Sequence, residues 1–331
     1  MGHDKTPACR AVKAGATPTR ACTRRAAHGS PYCRAHTITP GSGAGTDFEE
    51  WRAAALRTIA KHTPGGKHTP GGRKESPNGP GNAFDEDLVR MLLPGALPLY
   101  TLWWRVEVRG IENVPTAGPA LIAANHSGML PADGAMLKVA MLKEHGRNLW
   151  MLAADLAFRI PAFGEFVRAA GNARADHAEA VGLLRANELV GVFPEGYKGI
   201  GKGWSERYRL QRFGRGGFVR VGLETGAPII PTAIVGAEEA YPMIGNLGSL
   251  AKRLRLPYFP ITPTWPLLGP LGAIPLPSKW VIAFGEPVPT VDYGPEAAAD
   301  ARLVDEITRD VRARVQSLVY ETLARRGGAF S

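Results

Sequence analysis

Beyond Phe84, apolar and polar residues alternate in blocks that have either the length of a buried strand or the period of an amphipathic helix. The pattern predicts strands at "PALIAAN", "NLWMLAA", "LVGVFPEG" and "PIIPTAIVG", and helices at "GAMLKVAMLKEH", "HAEAVGLLRAN" and "RGGFVRVGLETG". Strands and helices follow one another in turn. This order favours an α/β fold with a largely parallel sheet flanked by helices.

Further elements are predicted at the two ends of this region. An apolar alternation at Trp104, Val106 and Val108 indicates an early strand, and "WVIAFGEPV" indicates a last one. Glu296 to Arg325 has the period of a closing amphipathic helix. Its predicted apolar face consists of Ala297, Ala301, Val304, Ile307, Val311, Val315, Leu318 and Leu323.

The first 83 residues have a different character, and we divide the chain accordingly. Residues 1–44 form a basic, mostly irregular segment that contains cysteine and histidine. Residues 45–83 combine a short helix candidate with a Gly/Pro-rich linker in which "KHTPGG" occurs twice in tandem, a composition typical of flexible linkers. Residues 84–331 form the predicted α/β domain.

Positive charge is concentrated in the N-terminal region. The chain has a formal net charge of +10, and residues 1–83 hold 13 basic and 5 acidic side chains, which leaves 27 and 25 for the rest. Such a basic region suits an anionic membrane surface. Because no aromatic stacking platform accompanies its arginines, we do not expect nucleic acid as a partner. The alternative to an active α/β domain is a binding module formed by the basic tail, with the α/β domain as an inactive scaffold.

All three cysteines lie in the N-terminal segment. Cys9, Cys22, Cys33 and His36 have the spacing C-x12-C-x10-C-x2-H, and such a set can satisfy a tetrahedral structural zinc. The segment resembles small C3H zinc modules such as the plant WRC motif. The alternative is three free cysteines in a disordered basic tail. A body without cysteine suits a reducing compartment, and the N-terminus lacks the apolar run of a secretory signal.

A histidine follows the predicted strand "PALIAAN". His126 comes directly after "LIAAN", and Asp133 lies near the start of the next predicted helix. An aspartate there can bond Nδ1 and leave Nε2 free to accept a proton from a substrate hydroxyl. The plain alternative is a histidine that caps the turn. Ser127 lacks the G-x-S-x-G setting of a nucleophile, which disfavours a serine hydrolase.

A second candidate site lies at "VGVFPEGYKGIGKG", where a buried strand opens into a loop of glycines and lysines. Backbone N–H groups near such glycines can approach an anion, while Lys198 and Lys202 add positive charge. The pattern GxxxxGK[ST] of a nucleotide-binding P-loop is absent. The alternative is an ordinary glycine-rich surface loop.

Four motifs give the chain a resemblance to a known family. "NHSGMLPAD", "GEFVRAAG", "VFPEGYKG" and "PIIPTAIVG" resemble, in order and approximate spacing, the four blocks of the glycerolipid acyltransferase superfamily, the lysophosphatidic acid acyltransferase-like enzymes. The likeness covers about residues 98–289. It implies the acyltransferase fold and an O-acyltransferase that moves a fatty acyl group from acyl-CoA or acyl carrier protein to a glycerolipid acceptor such as lysophosphatidate.

The resemblance also implies roles for individual residues. His126, oriented by Asp133, acts as general base on the acceptor hydroxyl, without any catalytic cofactor. Blocks two and three are associated with acceptor binding. Together with the glycine and lysine loop, they predict a substrate-binding set of Asn125, Arg168, Phe193, Pro194, Glu195, Gly196, Lys198 and Lys202.

The chain departs from the family pattern at two places. Six residues separate His126 from Asp133, whereas the family has four. The third block continues with Tyr197 and Lys198 in place of Thr-Arg, which replaces a bidentate guanidinium by a point charge. With "IVGAEEAYP", this is more similar to the monoacylglycerol and diacylglycerol acyltransferase-like branch, so a neutral or unusual acceptor is the second expectation.

Two uncharged segments favour contact with lipid. Met91 to Trp104 is apolar but short and contains two prolines, so it suits the membrane interface rather than a span. Leu256 to Ser278 is 23 residues long and has seven prolines, which exclude a transmembrane helix. It suits the wall of an acyl-chain groove or the interface, or else a loop that covers the core. We therefore expect a peripheral protein at the cytoplasmic face of a membrane.

Overall fold

One seven-stranded sheet with helices on both faces organises the described part of the chain. The structure, a computed structural model, describes residues 84–128, 132–159, 163–253 and 259–330. The predicted Cys/His segment 1–44 and the predicted helix and linker of 45–83 lie outside the described residues. So does the zinc ligand set Cys9, Cys22, Cys33 and His36.

The sheet is mostly parallel, as the sequence predicted. In chain order the strands are β1 (Glu107–Arg109), β2 (Ala120–Ala124), β3 (Leu149–Ala153), β4 (Asn172–Arg174), β5 (Leu189–Val192), β6 (Ile229–Val235), β7 (Gly245–Asn246), β8 (Pro260–Ile261) and β9 (Val281–Phe284). The large sheet has the order β1-β9-β6-β2-β5-β3-β4, and β7 and β8 form a separate antiparallel pair.

Strand direction brings several connections to one edge of the sheet. Strands β2 to β6 all run parallel, whereas β9 is antiparallel to β6 and β1 is parallel to β9. The carboxyl ends of β2 to β6 therefore lie at the same edge as the amino ends of β1 and β9. We call this the site edge, because ligands of open α/β sheets bind at the carboxyl ends of parallel strands.

Ten helices connect or cover the described strands. They are α1 (Glu86–Pro98), α2 (Ala132–Ala140), α3 (Leu156–Arg159), α4 (Phe163–Ala169), α5 (His177–Arg185), α6 (Tyr197–Ile200), α7 (Gly217–Thr225), α8 (Ala237–Ala240), α9 (Gly248–Arg253) and α10 (Ala301–Arg326). Single turns of π-helix extend α1 and α2, at Leu99–Trp103 and Met141–His145.

The sheet has a hydrophobic core on each face. Helices α5, α7 and α10 cover one face, and α1, its π-turn and α2 cover the other. All five residues of β2 and all seven of β6 are buried. A central strand buried on both faces reads as a continuous apolar run rather than as an alternation, and this is why β2 and β6 were recognisable in the sequence.

Two short elements near the ends of the sheet differ from the expectation. The early strand is β1, and Trp104 lies before it, buried, with its ring stacked on Trp280 at a centroid distance of 4.5 Å. The edge strand β4 was not predicted, because its three residues have no periodic apolar pattern. Both elements depend on contacts with distant parts of the chain.

The closing helix begins later than predicted. Asp300 caps α10 by accepting hydrogen bonds from the backbone N–H groups of Arg302 and Leu303, and residues 295–299 form a separate 3₁₀ turn. Ala301 is therefore exposed at the first turn and does not belong to the apolar face. Val304, Ile307, Val311 and Val315 are buried as predicted, and Val319 joins them.

The long connection from β6 to β9 leaves and returns at the site edge. Its described residues include α8, the β7–β8 pair, α9 and a 3₁₀ turn at Gly269–Ala273. Its end is anchored on the body of the domain, since the backbone N–H of Leu276 donates to the carbonyl of Ala240 over 2.9 Å. None of the helices in the described ranges is long and apolar enough to cross a membrane.

Candidate active site

His126 and Asp133 meet at the site edge. His126 follows the end of β2 by two residues, and Asp133 lies in the first turn of α2. The imidazole Nδ1 is 2.6 Å from Asp133 Oδ2. The six-residue separation in sequence thus still allows a direct contact between the two side chains.

Three hydrogen bonds hold the Asp133 carboxylate, which is fully buried. Oδ2 accepts from the backbone N–H of Ser127 over 2.8 Å as well as from the imidazole, and Oδ1 accepts from the backbone N–H of Gly134 over 2.8 Å. A carboxylate at Nδ1 favours the tautomer that carries its proton there and leaves the lone pair on Nε2. Nε2 has no hydrogen-bond partner among the described residues, and the His126 side chain is 12% exposed.

Phe193 fixes the plane of the imidazole. Its ring stacks on that of His126 at a centroid distance of 4.1 Å and an interplanar angle of 5°. Phe193 was predicted to bind substrate from its place in the third block. In the structure it packs against His126, where it limits rotation of the imidazole.

Glu195 holds the backbone beside His126. Its Oε1 accepts from the backbone N–H of His126 over 3.0 Å, and its Oε2 accepts from that of Gln211 over 2.6 Å. The Glu195 side chain is fully buried. Its carboxylate thus faces protein donors, and it links the loop after β2 to the segment that follows α6.

Lys202 lies between two buried carboxylates. Its ammonium is 3.6 Å from Glu195 Oε2 and 3.0 Å from Glu238 Oε1, and the Lys202 side chain is 3% exposed. Burial lowers the pKa of Lys202, but the negative charges of Glu238 and Glu195 outweigh this effect and raise the pKa above its ordinary value. Lys202 is therefore enclosed and charged, unlike the open phosphate ligand that we predicted from the glycine and lysine loop.

Two glycines allow the third block to approach His126 closely. Gly196 has φ +59° and ψ −152°, a conformation that side chains disfavour. At Gly199, an added Cβ would lie 2.7 Å from His126 Cβ and 2.9 Å from the His126 carbonyl oxygen. Gly199 is thus required by the contact between α6 and His126, whereas the sequence suggested only an anion-binding loop.

The other residues of the predicted substrate-binding set lie at different places around the site edge or away from it. Asn125 exchanges two hydrogen bonds with the backbone of Ile234, which ties the end of β2 to β6, and the Pro194 carbonyl accepts from Gly214 N–H. Arg168 stacks on Phe158 and lies 4.0 Å from Glu179, and no contact with His126 is recorded within the described ranges. Lys198 is exposed on α6 and has no ionic partner there.

Several residues of the site could not be identified from the sequence pattern. A cleft beside Gly128 is lined by Lys202, Trp204, Arg207, Glu238, Tyr241 and neighbouring residues. Glu238 reaches the site from α8, more than a hundred residues after His126, so no local pattern could indicate it. Ser127 Oγ is buried without a hydrogen-bond partner among the described residues.

No cluster of candidate metal ligands occurs in the described part of the chain, and the zinc prediction for the N-terminal segment stays a prediction.

Comparison with known proteins identifies similar chains. The model of the family named Acyltransferase matches residues 105–235. The uncharacterized protein Rv0502 of Mycobacterium tuberculosis is 51% identical over 249 residues, which are 75% of this chain and 69% of that protein. A Gallus gallus protein named DGAT1/2-independent enzyme synthesizing storage lipids is 27% identical over 221 residues, 66% of this chain and 60% of that protein.

A solved structure also resembles the chain. It is the 1-acyl-sn-glycerophosphate acyltransferase PlsC of Thermotoga maritima, with a TM-score of 0.48 and 20% sequence identity. The match covers 73% of this chain and 84% of that one.

We predict that Lys202→Met destabilises the protein by about 3–5 kcal/mol, because two buried carboxylates then lose the cation between them. Unfolding in urea, followed by intrinsic fluorescence, measures the difference. Lys198→Met is the matched control, since it removes an exposed lysine four residues earlier and should change the free energy of unfolding by less than about 0.5 kcal/mol. Equal stability of the two variants would contradict an enclosed, charged Lys202.

Proposed function

Since the chain belongs to the glycerolipid acyltransferase superfamily, we propose that it transfers a fatty acyl group from a thioester to the hydroxyl of a glycerolipid, with His126 as the general base. The observation that supports this proposal most is the 2.6 Å contact between His126 Nδ1 and a buried, fully hydrogen-bonded Asp133. The donor is acyl-CoA or acyl carrier protein.

The proposed reaction needs one base and no protein nucleophile. Nε2 of His126 removes the proton of the acceptor hydroxyl while the oxygen attacks the thioester carbonyl carbon. The tetrahedral intermediate then expels the thiolate, which takes the proton back from the imidazolium, so that an ester and a free thiol are formed. Asp133 stabilises the imidazolium and keeps its orientation. A positioned base of this kind contributes a factor of about 10²–10⁴.

The acceptor is either phosphorylated or neutral. We propose lysophosphatidate as the type of acceptor, because Lys198 is an exposed cation of the third block and can pair with a phosphate. Mono- or diacylglycerol is the second candidate. It is supported by the Gallus gallus relative, which is named as an enzyme synthesizing storage lipids, and by the replacement of Thr-Arg by Tyr197 and Lys198.

We also propose that the protein is peripheral to a membrane, at its cytoplasmic face. Two groups of exposed apolar side chains support this, Leu99, Leu102 and Trp103 before β1, and Leu267, Leu268, Leu271 and Ile274 in the β6–β9 connection. Leu102, Leu267 and Leu271 are 75%, 82% and 68% exposed. We call the seven residues the apolar rim. Exposed apolar patches of this kind are typical of interaction surfaces.

The two halves of the apolar rim are joined at the site edge. Trp103 Nε1 donates to the carbonyl of Pro275 over 3.0 Å, directly after Ile274, and Tyr241, which lines the cleft beside Gly128, donates to the carbonyl of Ala273 over 3.0 Å. The charge pattern agrees with an anionic bilayer, because residues 241–285 include four cations and no carboxylate. The choice of the cytoplasmic face is based on the sequence, because the cysteine-free body suits a reducing compartment.

We predict that wild-type protein transfers labelled palmitate from palmitoyl-CoA to at least one acceptor among lysophosphatidate, monoacylglycerol and diacylglycerol. His126→Ala should lower the rate by at least about 10²-fold, since it removes the base. Ser127→Ala is the neighbouring control and should retain the rate, because the mechanism uses no serine. Full transfer by His126→Ala would refute the mechanism. Loss of transfer in the Ser127→Ala single variant would favour a serine enzyme.

We predict that the double variant Leu102→Asp, Leu271→Asp floats with vesicles of phosphatidylcholine and phosphatidylserine much less than the wild type does. Two charges in the apolar rim would have to be desolvated on binding. Tyr320→Asp alters an exposed side chain on α10, outside the apolar rim, and should float normally. If the double variant floats as well as the wild type, the apolar rim is not the membrane contact.

A further inference from the structure

Four arginines form an exposed row in the segment between α6 and α7. Arg207, Arg209, Arg212 and Arg215 are all exposed, and we call them the arginine strip. None of them makes an ion pair with a described residue, and Glu206 is the single acidic residue between Trp204 and Gly216. Five other exposed arginines among the described residues lie beside a carboxylate, as Arg174 does beside Glu179 and Arg309 beside Asp305.

The segment that carries the arginine strip, residues 207–215, has a fixed backbone although it has no regular secondary structure. Its arginines are interspersed with Tyr208, Leu210 and Phe213, which are buried. Tyr208 N–H donates to Glu238 over 2.6 Å, and Leu210 N–H donates to the side chain of Gln316 on α10 over 2.8 Å. The side chains of Arg312 and Gln316 in turn donate to the carbonyls of this segment. The exposed arginines thus project from a backbone that is held at nearly every residue.

The segment that carries the arginine strip is linked to the loop that carries His126. Arg207 lines the cleft that also contains Gly128, and it stacks on Trp204 at 4.4 Å. Further along, Gln211 N–H shares the Glu195 carboxylate with the backbone N–H of His126. Gly214 N–H donates to the carbonyl of Pro194 over 3.0 Å. A ligand bound along the arginine strip therefore lies beside the segments that hold the backbone of His126.

We propose that the arginine strip binds the phosphate groups of coenzyme A in the thioester donor. This inference rests on the proposed function, since it names the donor of that reaction. Guanidinium groups bind phosphate in a bidentate manner, and all four cations are arginine. Eight residue steps reach at most about 28 Å, a length over which a diphosphate and a separate 3′-phosphate can bind at once. A single lipid phosphate would use only part of this row.

Direct binding tests the proposal without any need for turnover. Calorimetric titration of the full chain with free coenzyme A compares wild type with the triple variant Arg207→Gln, Arg209→Gln, Arg212→Gln. We expect the triple variant to bind at least about tenfold more weakly, because several charge-assisted hydrogen bonds are lost. The control variant, Arg185→Gln, Arg302→Gln, Arg309→Gln, removes the same charge from exposed positions elsewhere and should bind as the wild type does.

Kinetics with two thioesters then locates the effect. The triple variant should have a KM for palmitoyl-CoA raised at least about tenfold, while kcat/KM for palmitoyl-pantetheine, which lacks the nucleotide phosphates, stays within about twofold of the wild type. Unchanged affinity for coenzyme A overturns the proposal. Equal losses with both thioesters also overturn it, because they indicate a general disturbance of the site.

Two further outcomes separate coenzyme A from a lipid phosphate, and the binding site from the reaction. If the triple variant keeps its affinity for coenzyme A but loses binding to vesicles that contain phosphatidic acid, the arginines serve a lipid phosphate and the proposal is wrong. If the wild type transfers no acyl group at all but the triple variant still loses affinity for coenzyme A, the binding site stands and the proposed function fails.

Discussion

The site depends on the burial of the Asp133 carboxylate. A carboxylate without access to water must obtain hydrogen bonds from the protein, and Asp133 obtains them from Ser127 N–H, Gly134 N–H and the His126 imidazole. The first two bonds fix the loop after β2 against the first turn of α2. The third fixes the tautomer of His126 and directs the lone pair of Nε2 away from the protein core. The orientation of the His126 imidazole is thus a consequence of how the burial of Asp133 is satisfied.

A second layer of buried charge holds the surroundings of this pair. Glu195, Lys202 and Glu238 form a chain that joins the loop after β5, the segment after α6 and the helix α8. Glu239, next to Glu238, forms a buried ion pair with Arg326 at the end of α10, over 2.6 Å. Three connections of the site edge and the closing helix therefore meet in one network of charges. Because Glu195 accepts from the backbone N–H of His126, this network reaches the backbone of His126 through a single hydrogen bond.

The sequence predicted the features that have a local cause. The order of strands and helices followed from buried runs such as "ALIAA", and His126 was recognisable because it ends one of them. Its contact with Asp133 followed from the start of the next helix at the same edge. Lys202 shows the limit of this reasoning, since a loop of glycines and lysines has the same local pattern whether it is open or enclosed. Its enclosure depends on Glu238, which is brought in by the fold from a distant part of the chain and leaves no periodic signal.

We propose that the Asp133 carboxylate makes His126 an effective base for acyl transfer. The most direct measurement is the single-turnover rate of acyl transfer by Asp133→Asn at saturating thioester, with folding verified by circular dichroism. We predict a rate about 10²–10⁴-fold below that of the wild type with little change in thioester affinity, because the amide cannot stabilise the imidazolium. A variant that folds and transfers at the wild-type rate would contradict the account.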